Sequence, residues 1–321
     1  MNSSPNIPFP WGENPFPLLL APMQGLTNRA LREVFADWVK PDVVFTEFVR
    51  VKPGAHRVVS KTDEMEIRSV HACVPLVVQL IGFDITALTT TAIKAQELGA
   101  RHLNLNMGCP FGRMNERAAG GGLLRCTERL PELLRALREV STGTFSVKLR
   151  AGFSNEREVF SLLPVFEDCG VDFLILHPRT VEQKYSGRAN HDITAEVVSR
   201  TRLPVIANGD VWTAGDGLRV KEQTKAAGLM LGRGAIADPL LFLRLRGQAP
   251  LQVDHETRRK EISDYLRGLL PGYKELFCGD VQVLNKMKGV FSLVQEEALA
   301  PWIKGLQKSR TLSALVSQLD G

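Results

Sequence analysis

Short, nearly continuous apolar runs alternate along this chain with longer stretches whose apolar residues recur at helical spacing. The runs at Leu18–Met23, Val43–Phe48, Leu76–Gly82, His102–Met107, Thr144–Arg150, Phe173–Pro178, Pro204–Gly209 and Gly228–Gly234 read as buried strands. Helical patterns fall near 27–38, 84–98, 127–140, 155–169, 192–201 and 213–225, with a further one near 238–246. Strand, helix, strand repeated in this way predicts a parallel sheet. Eight strands in roughly 230 residues suit an α/β fold of the TIM (β/α)8 barrel type, which typically takes ~250 residues. A doubly wound sheet is the alternative, but no GxGxxG follows the first strand to suggest a dinucleotide half-domain.

After Gly247-Gln248-Ala249-Pro250 the strand pattern stops. Residues 252–321 read as helices only, near 254–270, 281–296 and 300–319, with a break expected at Pro271-Gly272. The expected organisation is a barrel domain over 1–247 and a small helical domain over 248–321. From 252 onward the tail carries 10 basic and 9 acidic residues, so it is not polybasic. No run is apolar for long enough to span a bilayer. The amino terminus lacks a basic n-region and a continuous apolar h-region, which predicts no signal peptide. Five cysteines, at 73, 109, 126, 169 and 278, form no CxxC pair and read as reduced thiols in a cytoplasmic setting.

Special residues gather where the predicted strands end: Pro22-Met23-Gln24-Gly25, Glu47, Gln79, Asn106 with Cys109, Lys148 with Arg150, His177 with Arg179, Asn208-Gly209-Asp210 and Gly232-Arg233-Gly234. Closing a barrel brings these ends to one face, where barrel enzymes carry their sites. The most informative stretch is Asn104-Leu105-Asn106-Met107-Gly108-Cys109-Pro110, a buried strand that delivers an amide and then a thiol to a sharp turn. Taken alone, Cys109 is as readily a small buried hydrophobe as a reactive group. Charge adds to the picture. Residues 101–150 hold nine basic and four acidic residues, an excess of five that equals the whole chain's net charge of +5. Phosphates would be drawn to that region, although Arg129, Arg135 and Arg138 also fit the solvated face of one helix.

The loops Asn208-Gly209-Asp210 and Gly232-Arg233-Gly234 follow the seventh and eighth strands, where barrels commonly hold phosphate. Their glycines let backbone N–H groups approach an anion, and Arg233 adds a charge-assisted contact. As plain turns, with Asp210 a helix cap, they would need no ligand. Lys148 interrupts the run Phe145-Ser146-Val147-Lys148-Leu149 and points inward if the strand alternates. A buried lysine needs a partner, and the anionic N1–C2=O edge of a flavin would supply one. Gln79 is a similar inward amide, suited to a planar heterocycle. His177 could be a ligand contact, a proton carrier or a satisfied core histidine, the last being commonest in isolation. No residue set has metal-ligand spacing, and neither GxSxG nor GxxxxGK[ST] occurs. Redox chemistry with an organic cofactor is therefore favoured over metal or acyl-enzyme hydrolysis.

Together these pieces resemble the tRNA-dihydrouridine synthases, FMN-dependent barrel enzymes that reduce specific uridines in tRNA. The resemblance covers the whole chain. Its anchors are Leu20-Ala21-Pro22-Met23-Gln24-Gly25-Leu26-Thr27, Val78-Gln79-Leu80, the Asn104–Pro110 stretch and Gly120-Gly121-Gly122-Leu123-Leu124. They continue with Val147-Lys148-Leu149-Arg150, His177-Pro178-Arg179-Thr180 with Tyr185-Ser186-Gly187, Pro204–Asp210 and Met230-Leu231-Gly232-Arg233-Gly234. The run Thr46-Glu47-Phe48-Val49-Arg50-Val51 looks like the bacterial C-type branch, which acts on U16 of the D-loop. By this resemblance Pro22, Met23, Gln79, Lys148, His177, Asn208, Gly209, Asp210, Gly232 and Arg233 hold FMN, and Cys109 is the general acid. Arg50, Asn106, Arg150 and Arg179 contact the uridine or its flanking phosphates, and the helical tail grips the tRNA body. NADPH, or NADH in its place, is the reductant, and the expected protein is a monomer without metal or membrane. Two departures are Pro178 after His177 and Phe111 after Pro110, where the family favours small residues; the second bears on the substrate mouth.

The implied chemistry suits these residues. Hydride transfer from flavin N5 to C6 of uracil builds enolate-like charge at C5 and O4, and a thiol on the opposite face protonates C5. A cysteine at its ordinary pKa of about 8.5 is mostly protonated at neutral pH. One rival is an FMN barrel reducing a free pyrimidine, which needs neither the basic surplus nor the helical tail. Another is an RNA-binding barrel that has lost catalysis, against which Cys109, Lys148 and His177 argue.

Overall fold

The computed structural model describes residues 8–69, 74–111 and 119–320. Its strands, in chain order, are β1 (Leu18–Leu20), β2 (Val43–Phe45), β3 (Val49–Arg50), β4 (Leu76–Ile81), β5 (His102–Met107), β6 (Thr144–Gly152), β7 (Phe173–Thr180), β8 (Val205–Asn208) and β9 (Gly228–Leu231). All pair in parallel. The sheet runs from β2 through β1, then β9 back to β4, and β4 closes the ring onto β2. The eight-stranded barrel expected from the sequence is the fold, with β3 as a short extension along β4. The second expected strand, 43–48, is interrupted because Thr46 and Glu47 take other partners. Thr46 Oγ1 accepts from the Gln79 N–H, and Glu47 accepts from the Gly25 N–H at 2.8 Å.

Alternation splits each strand's side chains between two layers. Leu19, Val43, Phe45, Val77, Phe173, Ile175, Ile206 and Met230 fill the interior. Their neighbours in sequence, such as Val78, Leu174, Leu176 and Val205, face the surrounding helices. The amino-terminal end of the barrel is closed by aromatics. Phe9 and Trp11 stack at 4.8 Å, and Trp11 meets Phe173 edge-on at the same separation. The opposite, carboxyl end is left to polar groups.

The helical readings place elements correctly within a few residues, with four corrections. A helix at Lys61–Arg68 had no strong apolar period, since Met65 is exposed and only Glu66 and Ile67 are buried; its start is set by Ser60, whose hydroxyl accepts from the Asp63 N–H. The expected helix near 238–246 is the shorter Leu241–Leu245, and an unexpected one, Arg233–Ala237, precedes it. The expected break at Pro271-Gly272 does not occur: one helix runs from His255 to Leu276. Burial of Leu266, Leu269 and Tyr273 offsets the ~3 kcal/mol cost of an internal proline. Gly272 serves packing instead, since a Cβ there would sit 2.8 Å from Ala30 Cβ. The remaining helices are Asp280–Phe291, Ala300–Lys308 and Leu312–Asp320, the last two replacing one expected helix over 300–319.

Residues 255–276 dock on the helix Arg29–Trp38, with Phe35 edge-on to Tyr265 at 5.8 Å. Beside this seam lies a buried ion network. Asp238 accepts from Arg244 (2.7 Å) and Arg258 (2.9 Å), while Arg258 also reaches Glu261 (3.0 Å) and Glu296 (2.7 Å). Removing one charge from such a network leaves its partners buried and underpaid. Arg258→Met is expected to lower stability by about 3–5 kcal/mol, read as a shift in the urea unfolding midpoint.

Candidate active site

The Cys109 turn is built from below. Strand alternation sends Asn104 and Asn106 into the barrel beside Gln79, which their strand pairing places next to them. Their amides form a chain. Gln79 Nε2 donates to Asn104 Oδ1 (2.7 Å), Asn106 Nδ2 donates to Gln79 Oε1 (2.8 Å), and Asn104 Nδ2 donates to Ser146 Oγ (2.8 Å). At its upper end Asn106 Oδ1 accepts from the N–H groups of Gly108 and Cys109, both at 3.0 Å. A strand side chain thus folds the backbone that follows it. The turn is gripped from two further directions. Arg150 Nε donates to the Gly108 carbonyl at 2.9 Å, and the Gly121 N–H donates to the Cys109 carbonyl at 3.0 Å. A Cβ on Gly121 would lie 2.9 Å from that carbonyl oxygen, so the close approach requires glycine. Cys109 is half-buried, and its sulfur has no hydrogen-bond partner among the described residues.

On the same face a cleft of about 550 Å³, counting its open mouth, lies between the ends of β1, β6, β7, β8 and β9. On one side Lys148 Nζ donates to Asn208 Oδ1 at 2.9 Å, and Asn208 Nδ2 donates to the Met230 carbonyl at 2.9 Å. Burial, with Arg150 nearby, lowers the Lys148 pKa to about 8. Burial also drives His177 well below the usual imidazole range, helped by Lys148, Arg150, Arg179 and Arg233, so the ring is neutral at pH 7. Its Nε2 lies 3.0 Å from Arg179 Nη1. Arginine only donates, so Nε2 accepts and the ring proton resides on Nδ1. Gly209 (φ +124°) lets the next loop lie against this ring, where a Cβ would meet His177 Cδ2 at 2.9 Å.

Arg179 and Asp210 form a bidentate pair (3.0 and 2.7 Å), and Asp210 also accepts from the Ala189 N–H at 2.7 Å. Burial pushes the Asp210 carboxyl up, but these donors outweigh it and hold it below the ordinary range. Arg233 lies between two aromatic rings, 4.6 Å from the Tyr185 centroid and 5.1 Å from Trp212. Its nearest carboxylate contact is Asp210 at 3.8 Å. With Arg179 neutralised, Lys148 and Arg233 remain as the cations facing the cleft, and a bound anion is the natural complement.

The structure brings Pro22, Met23, Lys148, His177, Asn208, Gly209, Asp210, Gly232 and Arg233 together around this cleft. Gln79 sits apart from the lining, inside the amide chain. Of the residues expected on the substrate, Arg50 is exposed, with its guanidinium 5.4 Å from the Phe48 ring. Asn106, Arg150 and Arg179 are buried and engaged internally. Arg150 donates to the carbonyls of Gly108, Thr180 and Lys184, and Arg179 to Asp210 and the carbonyls of Ser186 and Gly187. In the basic surplus around Cys109, Arg138 pairs with Asp172 at 2.8 Å and Arg125 stacks 3.8 Å over Phe153. Arg113, Glu116, Arg117 and Cys73 lie outside the described residues. Among the described residues no group of three His, Cys, Asp or Glu could hold a metal. The sequence reading missed Tyr185 and Trp212 as cleft residues. Each stands in a strand-end loop that it had singled out, but pairing two distant aromatics around one arginine requires the fold.

Fold and cleft together define a barrel enzyme with a cationic pocket and a cysteine thiol on one face. Residues 19–314 match the dihydrouridine synthase (Dus) family, and the chain belongs to that family. A tRNA-dihydrouridine(16) synthase of Cupriavidus necator is 33% identical over 263 residues, covering 78% of this chain and 81% of the relative. A tRNA-dihydrouridine synthase B of Vibrio cholerae is 29% identical over 277 residues, covering 85% and 81%. Among solved structures, morphinone reductase matches in fold, with a TM-score of 0.55 and 14% identity over 78% of this chain and 91% of its own.

The buried ammonium carries a stability signature. Its folded pKa of about 8 lies below the ordinary 10.5. Between those values the unfolded chain holds more protons, so stability rises with pH; below both, the penalty is complete. In the ligand-free protein Lys148→Met is expected to raise stability at pH 7 by roughly 1–3 kcal/mol and to flatten the rise from pH 8 to pH 10. Urea unfolding across that range measures both effects.

Proposed function

We propose that this protein reduces one uridine of tRNA to 5,6-dihydrouridine, with FMN in the cleft and NADPH, or NADH in its place, as reductant. The observation that carries this reading is the meeting of the Lys148–Arg233 cleft with the Cys109 turn on one barrel face. The residues present fit FMN. Lys148 has unused N–H donors in a desolvated position, which suits the anionic edge of the ring. Arg233, with the bare backbone of Gly209 and Gly232, suits the phosphate. His177 offers a neutral N–H, Pro22 and Met23 offer apolar contact, and Asp210 acts at one remove by fixing Arg179. Gln79 underlies the site through the amide chain.

When bound, reduced FMN supplies the hydride that saturates C6 of the uracil. The charge left on C5 and O4 is then quenched by Cys109, whose Sγ–H donates its proton to C5. Asn106, Gly121 and Arg150 fix the turn, while the sulfur has no hydrogen-bond partner among the described residues. The thiolate left on Cys109, with Lys148 and Arg150 close by, regains its proton from water. The uridine must leave its stack to reach this depth. Arg50 at the rim and the helices over 248–321 offer contacts for the tRNA body. The names of relatives such as the Cupriavidus necator protein and the Thr46–Val51 run support U16 as the target. The proposed setting is cytoplasmic, and the proposed form a monomer.

Incubation of the FMN-loaded protein and NADPH with tRNA lacking dihydrouridine, followed by mass-spectrometric mapping, tests the reading. The expected product is dihydrouridine at position 16 alone. Cys109→Ala is expected to slow its formation by about 100-fold or more while the flavin stays bound. Oxidation of NADPH with no tRNA modified would overturn the reading in favour of a small-molecule reductase.

A further inference from the structure

Two aromatic rings stand at the lip of the site. Phe111, two residues beyond Cys109, is 50% exposed, and Tyr185, in the loop after β7, is 46% exposed. Their centroids lie 5.9 Å apart, with planes tilted by 30°. Tyr185 is hemmed in by Arg233 at 4.6 Å, Arg150 at 5.4 Å and His177 at 6.3 Å from its centroid. Phe111 is not. Among the described residues Tyr185 is its ring partner, and no cation lies over its face. Single exposed apolar residues are ordinary on protein surfaces. A half-exposed phenylalanine backed by a second ring, two residues from the Cys109 thiol, has the form of a stacking platform.

A uridine that reaches Cys109 leaves its stack, and its neighbour in the strand loses a partner. A free aromatic face restores that stacking for any base, because every base has a π-face. Phe111 lies on the thiol side, outside the lining of the cleft. In the proposed reaction the nicotinamide must reach the flavin inside that cleft, which leaves the ring outside it for the RNA.

We infer that Phe111, backed by Tyr185, stacks an unpaired nucleobase adjacent to the target uridine. The inference rests on the proposed tRNA activity. It makes Phe111 a specificity residue that selects RNA whose neighbouring base is free to swing out, with little regard for which base it is.

The test measures Kd for tRNA lacking dihydrouridine, and KM and kcat for tRNA, on FMN-loaded wild type, Phe111→Ser, Phe111→Leu, Phe111→Tyr and Phe111→Trp. Phe111→Ser and Phe111→Leu are expected to raise Kd and KM for tRNA by about 5- to 100-fold, with a smaller change in kcat. Phe111→Tyr and Phe111→Trp are expected to restore binding, because they keep a π-face. Wild-type affinity in Phe111→Leu would show that apolar bulk against Tyr185 suffices, and wild-type affinity in Phe111→Ser that the ring is idle; either overturns the inference. The KM for NADPH is measured alongside, and a shift there instead assigns the ring to the dinucleotide. If the wild type forms no dihydrouridine in any tRNA, the underlying functional reading fails, which the same assay separates from failure of the Phe111 role.

Discussion

Polar side chains inside a closed parallel barrel must satisfy one another, since the surrounding wall of strands has no open edge to offer them. At the carboxyl end of this barrel that requirement is met by the run Ser146, Asn104, Gln79 and Asn106, each amide bonded to the next. The run works only at one register of β4, β5 and β6, because a slip of one residue would turn the amides outward. Register in turn sets where β5 ends, and its last inward amide accepts the two N–H groups that shape the Cys109 turn. The thiol's position is therefore a consequence of interior hydrogen bonding rather than of loop sequence alone.

The cleft follows a related logic with charge in place of amides. Arg179 is wholly consumed by Asp210, His177 and two carbonyls, which makes it a strut for the loops it joins. By donating to His177 it also fixes which imidazole nitrogen bears the proton. Lys148 and Arg233 are held differently. One has a single described hydrogen bond in a desolvated position, the other sits between two rings with a distant carboxylate. The arginine that braces the loops and the cations that line the cleft thus differ in how completely their donors are used.

Much of this architecture could be read from the chain because a buried parallel strand is apolar on both faces and its polar terminus interrupts the pattern. That contrast exposed the strand ends at Asn106, Lys148, His177, Asn208 and Gly232, and the fold gathers them on one face. Elements without such contrast escaped. The helix Lys61–Arg68 buries too little apolar surface to show a period, and its signal was a single serine cap. Pro271-Gly272 misled because a local rule for breaking helices met a tertiary need for close packing on Ala30. Arg150 and Arg179 show the limit for the site: sequence marks a charge near chemistry, but whether its donors point to a ligand or to backbone carbonyls depends on loops distant in sequence.

The first strand pairs with the last, β1 with β9, and the first helix lies beneath the helices that end the chain. Contacts of such sequence separation cannot form while the chain is still emerging, so the growing polypeptide carries an unpaired sheet edge at Leu18–Leu20 until residue 231 is available. The seam between Phe35 and Tyr265 closes later still. Ring closure and the covering of the first helix thus wait for residues far along the chain, and until these are made the nascent polypeptide exposes an adhesive edge, a natural target for chaperone protection.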